Sequence, residues 1–181
     1  MSEIWFTCRA VCSPATRADW DEYVAWANLP QLREVISLDG MLCPDVIGDL
    51  ETQDWDYNVH EDYHIFFFRD FEYLRARVQH LAGAKNFFAV CLNPETDARA
   101  LFDDARFEFA GYDLMDEWAG NSALTNCGGF PNAFANEELS ELGLLQEYAR
   151  VCVVREQLLV QYPDEPHTDC DVWALWKYRD T

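Results

Sequence analysis

The chain is poor in basic side chains: 13 Lys and Arg stand against 33 Asp and Glu in 181 residues, so the formal charge is −20. The deficit is uneven, because segments 41–64 and 111–149 each hold seven acids and no Lys or Arg. Such a field repels nucleic acid and anionic membranes and attracts cations and basic proteins. The sequence therefore predicts a basic protein partner, with no direct binding of nucleic acid and no membrane binding.

Long apolar runs are also missing. The longest uncharged apolar stretches, such as 65–68, fall far short of the ~20 residues that cross a bilayer. The opening "MSEIWFTCRAVC" places Glu3 and Arg9 where a secretory signal has its apolar core. The seven cysteines have no regular spacing, which fits a reducing compartment better than a disulfide framework. We expect a cytoplasmic protein.

What the chain does contain is typical of a folded domain. Half of the residues are apolar and 15% are aromatic, far too many for a disordered chain. Alternating patterns predict strands in "IWFTCRAVC", "KNFFAVCLN", "RFEFAGYDLMD" and "CDVWALWKY". The segment "SALTN" is expected to pair with the third of these through a turn at Gly120 and Asn121.

Helices are predicted between these strands, in no regular alternation. One follows the capping-box pattern at 16–19, one follows Asp70, and one spans 137–162 with a break near Gly143. We therefore predict an α+β fold in a single domain, 1–181. One mostly antiparallel or mixed sheet packs against helices, and the N-terminal and C-terminal segments are both strands.

The segment "VHEDYHIF" contains the H-E-x-x-H pattern of zinc proteases in His60, Glu61 and His64. Residues four apart share a helical face, so the two histidines could bind one zinc ion. Glu61 could then deprotonate a metal-bound water. A zinc hydrolase is therefore one alternative function.

The context of the motif argues against a catalytic zinc. The stretch "DWDYNVHEDYHIFFF" alternates like a strand, and Asp62 puts a charge inside the motif. The extended metzincin motif needs Gly and His where this chain has Phe67 and Asp70. We expect no cofactor, although the local carboxylates and imidazoles could hold a divalent ion without catalysis.

A second catalytic alternative is a thiol hydrolase. Cys127 precedes two glycines, and His167 lies before the final strand, which is the chain order of several cysteine hydrolases. The local sequence matches no cysteine-protease signature, and the glycines also suit a tight turn. The chain has no Gly-rich phosphate loop and no G-x-S-x-G elbow. We assign no catalytic residue; Glu61, Cys127 and His167 stay candidates.

The tryptophans divide into two groups. Trp5, Trp26, Trp173 and Trp176 are predicted core residues, whereas Trp55 and Trp118 lie in the two segments without basic residues. An aromatic ring among carboxylates is a suitable anchor for an Arg- or Lys-rich surface. The predicted partner-binding residues are Asp54, Trp55, Asp56, Asp116, Glu117 and Trp118.

Together these features favour an acidic binding protein without catalytic activity. It would engage a basic protein through segments 41–64 and 111–149, in the manner of immunity or inhibitor proteins. The alternative is a hydrolase, dependent either on zinc at His60, Glu61 and His64 or on the thiol of Cys127 with His167.

Overall fold

The computed structural model describes residues 3–44, 46, 57–58, 65–116 and 120–179. The helices and strands, in chain order, are β1 (Ile4–Ala10), α1 (Trp20–Ala27), β2 (Tyr57–Asn58), β3 (Phe66–Phe67), α2 (Phe71–Val78), β4 (Lys85–Leu92), β5 (Phe107–Asp116), α3 (Tyr148–Gln161) and β6 (Cys170–Tyr178). Short 3-10 turns lie at Ala98–Ala100 and Asn136–Glu138. The predicted α+β fold is confirmed.

The main sheet has the strand order β1-β4-β6-β5, and every neighbouring pair is antiparallel. The strands predicted at both ends of the chain are confirmed as β1 and β6. Strand β5 pairs with β6 from Phe107 to Asp116, with a bulge between Phe109 and Gly111. β2 and β3 form a separate antiparallel pair.

Single residues cover the outer edges of this sheet. Phe68 exchanges two backbone hydrogen bonds with Phe6 of β1 (2.8 and 2.9 Å). On the other side, β5 pairs with Leu145 and with Ser122. The second pairing confirms that "SALTN" lies against β5. Covering an edge in this way occupies backbone groups that would otherwise pair with another chain.

Apolar side chains are buried on both faces of the sheet. One face carries residues such as Leu114 and Ala174 and packs against the buried residues of α1 and α3. The opposite face carries Val90, Trp173 and Leu175 under a layer of connecting segments. Full burial of a large apolar side chain stabilises a fold by about 1.5–3 kcal/mol. These layers fix the positions of the loops at the end of β5.

Two predicted helices differ from the structure. α1 begins at Trp20, and the Thr16 hydroxyl donates to the carbonyl of Val11 (2.6 Å) instead of capping a helix. The helix predicted over 137–162 exists only as α3, because Leu145 is held extended by two hydrogen bonds to Tyr112 (2.8 and 3.1 Å). Within the described ranges, no helix is both long enough and apolar enough to span a membrane.

Candidate functional site

Most of the residues singled out from the sequence lie outside the described residues. They are Asp54, Trp55, Asp56, His60, Glu61, His64, Glu117 and Trp118. The H-E-x-x-H motif therefore stays a prediction. Among the residues that the structure describes, no group of three or more His, Cys, Asp and Glu side chains is arranged to hold a metal ion. Asp116, Cys127 and His167 are described, and they lie around the end of β5.

Asp116 ends β5 and is buried, with 1% of its surface exposed. Its Oδ2 lies 2.6 Å from Nδ1 of His167, so the carboxylate orients the imidazole ring. Cys170 stands opposite Asp116 in the sheet, and its thiol donates to the carbonyl of His167 (3.0 Å). Asp116, predicted to contact a partner, is thus an interior residue that fixes the loop before β6.

The thiol of Cys127 lacks the surroundings of a nucleophile. Burial, reinforced by the negative charges of Asp39, Asp116 and Asp113, raises its pKa to about 12. The thiol donates to the carbonyl of Ser122 (3.5 Å), and none of the described contacts joins it to His167. Because a thiolate is the reactive species, a thiol that stays protonated at neutral pH is unreactive. The structure does not assemble Cys127 and His167 as a catalytic pair.

Asp39, Asp113 and Asp116 form a buried carboxylate cluster that sequence patterns did not indicate. Asp39 accepts four hydrogen bonds, which is enough to satisfy a buried charge. On Oδ1 the donors are the backbone amides of Met41 (2.8 Å) and Leu42 (2.9 Å). On Oδ2 they are the amide of Ser122 (2.9 Å) and Nδ2 of Asn126 (2.8 Å). Asp39 therefore clamps the turn at 40–43 to the loop that follows β5.

Asp113 is the least satisfied member of the cluster. Its Oδ1 accepts from the Ser122 hydroxyl (2.6 Å) and the Leu114 amide (2.8 Å). Its Oδ2 is buried and makes no hydrogen bond to a described residue, because the nearby Ser37 hydroxyl points to Sδ of Met115 (3.5 Å). Burial raises the pKa of Asp113 to about 6, and the hydrogen bond from the Ser122 hydroxyl partly offsets this shift. An aspartate inside the apolar strand "FAGYDLMD" was the signal available in the sequence.

Above the clamped turn lies an exposed apolar patch. Trp26 is 56% exposed and Met41 is 68% exposed. The prediction that Trp26 belongs to the core is wrong, because α1 buries Trp20, Tyr23 and Ala27 and turns Trp26 outward. Trp5, Trp173 and Trp176 are buried as predicted.

The two exposed side chains border a cleft of about 290 Å³, which we call the Trp26–Met41 surface. It consists of Arg17, Asp19, Glu22, Tyr23, Trp26, Met41, Leu42 and Asn126. Arg17 pairs with Asp19 (Nε to Oδ1, 2.7 Å), and its hydrogen bond lowers the pKa of the Asp19 carboxyl. The Arg17 guanidinium also lies 4.9 Å from the ring centre of Tyr23. Glu22 lies one helical turn before Trp26 on α1, on the same face of the helix, and both line the cleft.

The buried cluster and this surface belong to one arrangement. Asp39 holds the amides of Met41 and Leu42, and Asn126 both bonds Asp39 and lines the cleft. The carboxylates inside the protein thus position the apolar side chains presented outside. This is a rigid support for a binding surface rather than a set of groups in contact with substrate.

A larger cleft of about 590 Å³ runs along the ends of β5 and β6. Its charged side chains pair with other residues of the chain. Nζ of Lys177 lies 2.5 Å from Oε2 of Glu34, and Nε of Arg179 lies 3.3 Å from Oε2 of Glu108. Both basic groups are therefore neutralised within the protein, and we favour the Trp26–Met41 surface as the functional site. No family model, no characterised protein and no solved structure matches this chain.

Proposed function

We propose that this protein binds a basic protein partner, and that Arg- or Lys-rich segments of the partner dock on the Trp26–Met41 surface. The observation that carries the proposal is the exposure of Trp26 and Met41 beside the carboxylate of Glu22. Trp, Met and Arg are the residue types enriched at protein interfaces, and Trp is a frequent energetic hot spot. A guanidinium could stack on the indole of Trp26 and pair with Glu22.

The distribution of basic side chains supports the same proposal. Nine of the 13 Lys and Arg side chains form ion pairs with described acids. The excess of acids, which gives the charge of −20, therefore has few internal counterions. Such a field accelerates association with a basic protein and discourages binding to nucleic acid.

The acidic segments 41–64 and 111–149 contribute unequally to this proposal. Within the second segment, Asp113 and Asp116 are buried, while Glu138 and Glu141 pair with Arg150 and Arg33. The first segment supplies Met41 and Leu42 to the surface, and its seven acids lie outside the described residues. We therefore place the centre of partner binding at Trp26 and Met41. The alternative zinc hydrolase rests on His60, Glu61 and His64, and metal analysis of the purified protein tests it directly.

The proposal is tested by fluorescence anisotropy with a labelled peptide of alternating Arg and Gly, using the full chain at low salt. We expect Trp26→Ala to weaken binding about thirtyfold, the loss that corresponds to a hot-spot side chain of about 2 kcal/mol. Val160→Ser is the matched control, because Val160 is exposed on α3 and does not line the cleft. It should leave the affinity unchanged.

A second pair of variants separates local contacts from the general field of the protein. Glu22→Gln and Glu156→Gln each remove one negative charge, the first at the surface and the second on α3. We expect Glu22→Gln to weaken binding several-fold more than Glu156→Gln, because short-range pairing exceeds the screened field. Equal effects of the two variants, or binding unaffected by Trp26→Ala, would contradict this surface as the docking site.

A further inference from the structure

Arginine side chains of this protein repeatedly lie over an aromatic ring while they pair with a carboxylate. Four guanidiniums lie 4.7–5.5 Å from a ring centre, in the pairs Arg17 with Tyr23, Arg69 with Trp5, Arg99 with Phe109 and Arg106 with Phe71. Each of the four also pairs with an acid, in the same order Asp19, Glu3, Glu147 and Asp104. The fold therefore uses one recurring arrangement, in which a ring and a carboxylate together hold a guanidinium.

One example of this arrangement lies at the Trp26–Met41 surface. Asp19 precedes α1, and the amide of Tyr23 donates to its carbonyl (2.9 Å), so the two residues are one helical turn apart. The Arg17 guanidinium reaches both side chains. Its Nε and Nη2 donate to the two carboxylate oxygens of Asp19 (2.7 and 3.1 Å), and the ring centre of Tyr23 is 4.9 Å away. Such two-point pairing needs the planar fork of a guanidinium.

Glu22 and Trp26 repeat the same acid and aromatic spacing further along α1. They are four residues apart, like Asp19 and Tyr23, and all four residues line one cleft. Every Lys and Arg of the chain lies in the described ranges. In those ranges no basic side chain pairs with Glu22 or stacks on Trp26. An acid and a ring are thus placed for a guanidinium that the chain itself does not supply.

The indole of Trp26 is exposed, yet its neighbours hold it in place. A Cβ added to Gly128 would lie 3.6 Å from Cζ2 of Trp26, so the indole rests beside the backbone of that loop. The ring centres of Tyr23 and Trp26 are 6.4 Å apart, with the planes inclined at 35°. Tyr23 is itself fixed, because its hydroxyl donates to the carbonyl of Thr125 (2.9 Å). A ring that is already positioned loses little conformational entropy when a ligand stacks on it.

We propose that the Trp26–Met41 surface is selective for arginine: an arginine of the basic partner stacks on the indole of Trp26 and donates two hydrogen bonds to the carboxylate of Glu22. This inference rests on the proposed function and names arginine, rather than lysine, as the residue recognised. A lysine ammonium is a compact point charge without a planar fork, so it cannot make the same two-point pairing. Within the described ranges, neither Lys85 nor Lys177 stacks on a ring. Met41 borders the cleft and would pack against the methylene groups of the bound arginine.

The selectivity is tested with two labelled peptides of equal length and charge, one of alternating Arg and Gly and one of alternating Lys and Gly. Fluorescence anisotropy with the full chain at low salt gives both Kd values. The general field of the protein attracts the two peptides equally, so a difference in Kd reports the local contact. We expect the arginine peptide to bind at least about fivefold more tightly, because a stacked guanidinium at an exposed site adds an interaction of this size.

Variants show whether the preference arises at Glu22 and Trp26. Glu22→Gln removes the paired charge, and Trp26→Leu keeps an apolar contact without a ring; each should reduce the preference to below about twofold. Trp26→Phe keeps a ring and should retain part of it. Glu156→Gln, which removes a charge on α3 outside the cleft, is the matched control and should leave the ratio of the Kd values unchanged. This ratio does not depend on how much of a variant is folded, because both peptides meet the same folded population.

The possible outcomes separate this inference from the proposed function. If the wild type binds both peptides equally and Trp26→Ala weakens both, the docking surface stands and the selectivity for arginine is wrong. If neither peptide binds, the proposed function fails and the selectivity fails with it. If the arginine preference survives both Glu22→Gln and Trp26→Leu, arginine is recognised elsewhere on the protein, and the assignment to this pair is overturned.

Discussion

Burial of Asp113 makes the free energy of unfolding depend on pH. Its pKa is raised to about 6 in the fold, against about 3.9 in an unfolded chain. The folded state therefore binds this proton more tightly, so the contribution of Asp113 to stability is greatest below about pH 4. It decreases as the pH rises to about 6 and is constant above that value.

Asp113→Asn should remove this dependence. The amide keeps an acceptor for the Ser122 hydroxyl and the Leu114 amide and carries no charge to desolvate. We expect the stability of the variant relative to the wild type to be about 2–3 kcal/mol more favourable at pH 8 than at pH 4, measured by urea unfolding. Asp39→Asn is the contrast: it places an NH₂ group against N–H donors and should destabilise the fold. If Asp113→Asn changes the free energy of unfolding by the same amount at pH 4 and at pH 8, the pKa of Asp113 is not raised in the fold.

At the scale of single residues, the sequence identified residue types with suitable chemistry but not the charges and contacts that surround them in the fold. Cys127 and His167 were chosen for their chemistry, but the charges that raise the pKa of Cys127 come from Asp39, Asp113 and Asp116. Asp39 is far from Asp113 and Asp116 in the chain, and only the fold brings it close to them. The positions of Cys12 and Cys43 also depend on tertiary structure, since the carbonyl of Cys12 and the thiol of Cys43 both bond to the backbone of Val35.

At the scale of elements, alternation and capping predicted most of the sheet and one helix start. Asp70 caps α2 as expected, its Oδ1 accepting from the amide of Tyr73 (2.9 Å). The prediction was wrong where a tertiary contact competed with local preference. Thr16 has the type and spacing of a cap, yet its hydroxyl bonds a strand carbonyl. Leu145 lies in a helix-forming sequence, yet it completes the edge of β5.

The bulge in β5 gives a test of the packing between β5 and this edge segment. Gly111 has a φ of 140°, and a Cβ placed there would lie 2.7 Å from the carbonyl oxygen of Leu145 and 2.8 Å from Cβ of Leu144. We expect Gly111→Ala to cost about 3 kcal/mol or more in the free energy of unfolding, because backbone must move in addition to the conformational penalty.

Gly83→Ala is the matched control for this prediction. Gly83 also has a positive φ, 94°, but no atom lies within 4 Å of a Cβ added there. Its cost should be about 1 kcal/mol, from the backbone conformation alone. Both values come from chemical denaturation under identical conditions. Equal losses for the two glycines would mean that the edge segment moves away from β5 without cost.

At the scale of the whole molecule, the mixture of strand and helix patterns predicted the α+β class and composition gave the charge, but neither located the exposed apolar side chains. α1 contains three aromatic residues, and its hydrophobic pattern did not show that Trp26 faces outward. Its exposure follows from how α1 meets the turn at 40–43, which Asp39 holds in place. The acidic character is informative about the class of partner, whereas the docking surface is defined by tertiary structure.

The net charge leads to opposite effects of salt on folding and on binding. At −20, with most basic groups already paired, the remaining carboxylates repel one another and destabilise the compact state. Raising NaCl from about 20 mM to about 300 mM shortens the screening length from about 20 Å to about 6 Å, which weakens that repulsion. We expect Tm to rise over this range while affinity for the Arg-Gly peptide falls, because attraction to a basic ligand is screened equally.

Calorimetry and anisotropy on the same samples measure the two trends. A fall of both Tm and affinity would mean that the surface ion pairs, such as Arg17 with Asp19, outweigh the general repulsion. If affinity does not change while Tm rises, apolar contact at Trp26 and Met41 would account for binding without charge, and the partner need not be basic. Opposite trends are specific to a protein whose excess charge serves association at the expense of its own stability.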